Sequence, residues 1–92
     1  MSDFVFSEHS VQEMKRRSIS QEQVEEVMRN PQQKVIGKHQ RMIYQSQITT
    51  EEGKPYLIRV VVDQEVMPIV VITVYITSKN HIVTGKHHEH YL

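Results

Sequence analysis

Phe6-Ser7-Glu8-His9-Ser10-Val11 and Ile19-Ser20-Gln21-Glu22-Gln23-Val24 follow nearly the same plan. Each puts a Ser where a helix N-cap belongs, with one apolar residue just ahead of it and another in the first turn. The Ser oxygen takes an orphan backbone N–H, and the apolar pair closes over the turn as a hydrophobic staple. In the second stretch Gln23 stands three positions after Ser20 and completes a capping box. Two short consecutive helices therefore start at about residues 8 and 21, and the β-rich remainder is what they cover.

The first helix is expected from about Glu8 to Arg17. With Val11 pointing inward, Met14 and Ser18 share its side at about 100° per residue, while His9, Glu13 and Arg16 fall opposite. Arg17 lies roughly 60° beyond Met14, on the flank of the apolar stripe. The second helix runs from about Gln21 to Asn30 with Val24, Val27 and Met28 inward, and Pro31 ends it. The link Ser18-Ile19-Ser20 makes the pair a helix–turn–helix in the loose sense only. A helix that reads DNA presents basic and amide side chains; Gln21, Glu22, Glu25 and Glu26 make this one acidic and repel phosphate.

Past Pro31 the apolar pattern changes from helical to alternating. Strands are expected at about 35–48 (bent at Gly37), 56–63 and 69–77, with a short piece near Ile82-Val83 and a candidate first strand at Phe4-Val5-Phe6. The turns fall at Thr49–Pro55, containing Gly53, and at Asp63–Pro68. The predicted fold class is α+β: two N-terminal helices packed on one face of a three- to four-stranded antiparallel sheet. It forms a single domain over about residues 1–84, followed by a loose polar His-rich tail at 85–92. His87, His88 and His90 with Glu89 on such a tail define no coordination geometry, so neither a metal site nor a cofactor is expected.

Ninety-two residues suffice for one hydrophobic core without a staple. The absence of Cys excludes disulfides, thiolate nucleophiles and Cys-based zinc sites. Eleven basic residues balance eleven acidic ones, which argues against a general nucleic-acid coat. The most apolar run, Ile69 to Ile76, is too short to span a bilayer, and Met1-Ser2-Asp3 does not open a signal peptide. A cytoplasmic protein without membrane contact is the expectation. Gly-rich phosphate loops, paired-carboxylate motifs and nucleophile elbows are absent from the sequence. Met14, Met28 and Met42 stand at core-facing positions.

Alternation splits the sheet into two faces. Tyr56, Ile58, Val60 and Val62 with Val70, Ile72, Val74 and Ile76 make the face under the helices. Simple hairpins pair Ile48 with Tyr56 and Ile58 with Val74. On the opposite face Arg41 then meets Asp63, Ile43 meets Val61, Gln45, Arg59 and Thr73 align, and Gln47, Leu57 and Tyr75 form the next row. Apolar Leu57, Val61, Ile69 and Val71 surround that polar centre, so the face invites a ligand, a partner or a second copy. Arg59 with Tyr75 and Thr73 offers a phosphate-binding fork and a proton-transferring hydroxyl, although cross-strand polar ladders commonly look the same. His9 can act as a base, but a helix-opening His more often serves local hydrogen bonding. Arg16 and Arg17 can meet phosphate or simply complement the end of the helix dipole.

The run His9 to Arg17, then Ser18-Ile19-Ser20, a Glu-rich helix, Asn30-Pro31-Gln32 and the strand Val70-Val71-Ile72-Thr73-Val74-Tyr75 resembles a group of small bacterial and cyanobacterial proteins filed as a domain of unknown function. That group looks like a branch of the RelE/ParE toxin superfamily. Its pattern has Arg-Gly-Ile-Ser or Arg-Gly-Ile-Thr where this chain has Ser18 in the glycine's place. The resemblance spans about residues 6 to 77 and implies a RelE-like fold and a toxin of a toxin–antitoxin pair, some of which cut mRNA on the ribosome without metal. Together with the sheet-face reading, which contributes Gln45, it gives Arg59, Tyr75 and His81 as catalytic candidates, and His9, Arg17, Gln45, Thr73 and Lys79 as RNA- or partner-binding candidates. The partners it implies are an antitoxin and RNA or the ribosome. The alternative expectation is a non-enzymatic interaction domain that uses its exposed sheet face for a protein partner or a homodimer.

Overall fold

The computed structural model describes residues 3–78. Lys79, His81, the piece at Ile82-Val83 and the tail at 85–92 lie outside the described residues. The chain runs β1 (Phe4–Phe6), α1 (Glu8–Arg16), α2 (Gln21–Arg29), β2 (Gln33–Ile36), a 3-10 turn at Lys38–Gln40, β3 (Met42–Thr49), β4 (Pro55–Asp63) and β5 (Ile69–Thr77).

Both helices start where their caps place them. The Ser7 hydroxyl oxygen accepts from Ser10 N at 3.0 Å. Ser20 accepts from Gln23 N at 3.1 Å, and the Gln23 side chain accepts from Ser20 N at 2.9 Å, closing the capping box. Ile19 and Val24 are buried in the core, and Phe6 and Val11 pack against it, so the residues of both expected staples belong to the same apolar cluster. The corner between the helices is equally defined. Ile19 N donates to Met14 O at 2.8 Å and Ser18 N to Lys15 O at 3.2 Å, the hydrogen-bond pair of a Schellman motif. Ser18 holds a φ of 57°, in the left-handed region.

The sheet corrects the predicted architecture. It has five strands in the order β1-β5-β4-β3-β2, and it is mixed: β1 runs parallel to β5, with Phe4, Val5 and Phe6 beside Ile69, Val70 and Val71. The fold remains α+β, but the three- to four-stranded antiparallel sheet is not what forms. Two physical causes account for the difference. Phe4–Phe6 joins the sheet through a partner 65 residues away, beside which no turn chemistry announces the pairing. The expected single strand over 35–48 instead breaks at Gly37 into the β2–β3 hairpin. A Cβ at Gly37 would stand 2.9 Å from Ile43 Cδ1, so a larger residue there requires the Ile43 side chain to shift.

The register between β4 and β5 also departs from expectation. Ile58 faces Ile76 rather than Val74, and Arg59 faces Tyr75 rather than Thr73. A bulge follows, because Val61 faces Thr73 while Val62 faces Val71, which leaves Ile72 as the extra residue. Val71 and Ile69 therefore join the core under the helices, and the expected Val70 and Ile72 do not. Ser7 fixes this bulge: its hydroxyl donates to Ile72 O at 3.1 Å, and its backbone N–H donates to Val71 O at 3.0 Å. The core on the helix side contains Met14, Val24, Val27 and Met28 against Tyr44, Ile58, Val60, Val62 and Val74. No helix among the described residues is long and apolar enough to cross a membrane.

Candidate functional site

The side of the sheet away from that core carries the polar row. Gln45 and Arg59 are paired across β3 and β4, and Arg59 and Tyr75 across β4 and β5. The Arg59 Nε donates to Gln45 Oε1 at 2.9 Å, and its Nη1 donates to the Tyr75 hydroxyl at 2.8 Å. Gln45 in turn donates from Nε2 to Gln33 Oε1 at 3.0 Å, which extends the row to β2. Four strands are thus tied by one line of side chains. Gln33 was not foreseen, because its pairing with Gln45 exists only once β2 folds back at Gly37.

The row is not an open surface. Arg59 and Gln45 are each 1 % exposed, and Ile43, Leu57 and Val61 beside them are buried as well. Tyr75 and Thr73 are half-buried. A buried guanidinium requires partners for its donors, and Gln45 and Tyr75 supply two of them. The arginine carbon lies 5.6 Å from the centre of the Tyr75 ring, so the two side chains are also stacked at cation–π range. Because the phenolic oxygen accepts from Arg59, its own proton points away from the guanidinium. Within the row Tyr75 is half-buried, while Arg59 and Gln45 are almost wholly buried.

The remaining sequence candidates divide between places. Thr73 lies two residues from Tyr75 on β5 and faces Val61, one row away from Arg59. His9 is exposed in the first turn of α1. Arg17 caps the other end of α1, where its Nε donates to Glu13 Oε1 at 3.0 Å. Helix α1 belongs to the opposite layer from Arg59, so His9 and Arg17 do not converge with the row. Arg16 joins the same carboxylate, with Nη2 at 2.7 Å from Glu13 Oε1. Hydrogen bonds from Arg16, then from Arg17, hold the Glu13 carboxyl down at about 2. Lys79 and His81 lie outside the described residues. Arg41 and Asp63 meet as expected, as an ion pair at 3.7 Å.

Among the described residues no group of three or more His, Asp or Glu side chains is arranged to hold a metal ion. The family model of a domain of unknown function (DUF4258) matches residues 6–76. The chain belongs to that family. No curated protein and no solved structure matches it.

Proposed function

We propose that this protein is a RelE/ParE-like toxin of a toxin–antitoxin pair, acting on mRNA as a metal-independent endoribonuclease in the cytoplasm of a bacterium. The observation that carries the reading is the Gln45–Arg59–Tyr75 row, in which the buried guanidinium donates to the hydroxyl of a half-buried tyrosine. In this reading Tyr75 moves a proton at the scissile phosphate. Arg59 acts as the positioning residue that holds the phenol and places positive charge behind the developing negative charge. The sequence resemblance and the two consecutive helices on one face of the sheet support the same reading.

Expression of the wild type in bacteria should arrest growth, and Tyr75→Phe should abolish the arrest while circular dichroism shows the fold intact. Arrest that survives Tyr75→Phe refutes the catalytic assignment, and a wild type that never slows growth refutes the toxin itself. A second reading has its own support. Arg59 packed at 1 % exposure among Ile43, Leu57 and Val61 has the character of a cross-strand ladder in a non-enzymatic interaction domain. That domain predicts no growth arrest together with a defined complex or homodimer in solution.

A further inference from the structure

Strand β3 has a partner on both sides for only half its length. Its pairing with β4 runs from Met42 to Thr49, but its pairing with β2 stops at Gln45. Among the described residues, no strand lies beside the edge of β3 that faces away from β4 from Ser46 to Thr49. Gln32 stands in for one: its backbone N–H donates to Ser46 Oγ at 3.1 Å, and its side-chain Oε1 accepts from Gln47 N at 2.8 Å. Gln32 is exposed, so these bonds are open to exchange with an incoming chain.

A groove of about 440 Å³ runs between this edge and α2. Val27 and Ile48 give it apolar lining, while Glu22 and Glu26 bring two carboxylates, and among the described residues no Lys, Arg or His lines it. Asn30 donates to Glu26 at 3.2 Å, an exposed contact that leaves the negative charge in place. Among the described residues, a strand edge without a neighbouring strand, an apolar strip and an acidic wall thus occur together at one place.

We propose that this groove is the docking site for an extended segment of a protein partner that adds to β3 as a strand beside Ser46–Thr49. Backbone pairing with the edge supplies the register. Apolar side chains of the segment rest on Val27 and Ile48, and its Lys or Arg side chains face Glu22 and Glu26. The inference does not rest on the catalytic reading of Tyr75, which lies on the outer face of β5.

The test uses the full chain and a capped six-residue peptide alternating lysine and valine, titrated with amide chemical shifts as the readout. Shifts should concentrate at residues 46–49 and along the Glu22–Val27 side of α2. Methylating alternate peptide nitrogens removes strand pairing without touching charge and should weaken binding by about tenfold or more. The double variant Glu22→Lys with Glu26→Lys should weaken it by a similar factor, as should raising the salt on the wild type. Shifts confined to another surface, equal binding by the methylated peptide, or binding insensitive to charge reversal and to salt would each overturn the proposal. Should the double variant fail to fold, the methylated peptide and the salt series on the wild type decide the matter.

Discussion

Replacing Ser18 by glycine should make this protein more stable, although the change removes atoms and creates no contact. Ser18 is the residue after the C-cap of α1, and it holds a φ of 57° so that Ile19 N and Ser18 N can reach Met14 O and Lys15 O. A side chain in that region costs about 1–2 kcal/mol from the crowding of Cβ against the following carbonyl. Glycine removes that cost but gives the unfolded chain additional freedom, worth about 0.4–1 kcal/mol against folding. The difference leaves a gain near 1 kcal/mol. For a domain of this size that raises the melting temperature by about 4–8 °C. The assay is thermal unfolding by circular dichroism for wild type, Ser18→Gly and Ser18→Ala side by side. Alanine retains the Cβ and should show no such gain. A glycine variant that melts no higher than the alanine variant refutes the strained-cap reasoning.

Ser7 serves two structures at once, as N-cap of α1 and as donor to the bulge carbonyl of Ile72. Ser7→Ala should therefore cost about 2 kcal/mol, roughly 1 for the cap and 1 for the second hydrogen bond, measurable by urea unfolding. Glu13 gives a pH prediction. Its carboxyl is lowered from an ordinary value of 4.5 to about 2, by hydrogen bonds from Arg16 and then Arg17. A lowered folded value means the stabilisation is complete above 4.5 and is lost as pH falls from 4.5 towards 2. Glu13→Gln should flatten that acid limb in melting curves recorded across the interval, and an unchanged limb would show that the ion pairs contribute nothing.

What the sequence revealed was local, and what it concealed was distant. Ser7, Ser20 and Gln23 act within their own first turns, so helix starts at Glu8 and Gln21 follow from spacing alone. The pairing of Phe4–Phe6 with β5 depends on the whole intervening chain. The bulge was hidden for another reason. Ile69-Val70-Val71-Ile72 is apolar at every position, so alternation fits either phase and cannot tell which two residues turn inward. Before the bulge, the error in pairing β4 with β5 was two residues, and an even slip keeps every side chain on its face. Gln45 and Arg59 pair as expected, and Tyr75 joins them on the same face in the place expected of Thr73. Their burial was not legible, since alternation assigns a side chain to a face but carries no mark of how deeply that face is packed.

The segment that carries the family resemblance most plainly has a structural explanation throughout. Arg17 caps α1, Ser18 takes the left-handed turn, Ile19 closes the Schellman motif, and Ser20 caps α2. Ile19 works in both directions, ending one helix beside Met14 and starting the next as the staple partner of Val24, all three buried in one core. An Arg-Gly-Ile-Ser run is thus what a tight corner between two short helices requires: glycine for φ, isoleucine for the shared core, serine for the cap. Such a motif specifies the helical layer and says nothing about chemistry, because its one charged member is tied to Glu13 on the far side of the sheet from Arg59. The candidate groups outside that corner lie on β5 and along Ser46–Thr49 of β3, where among the described residues no strand pairs with the outer edge.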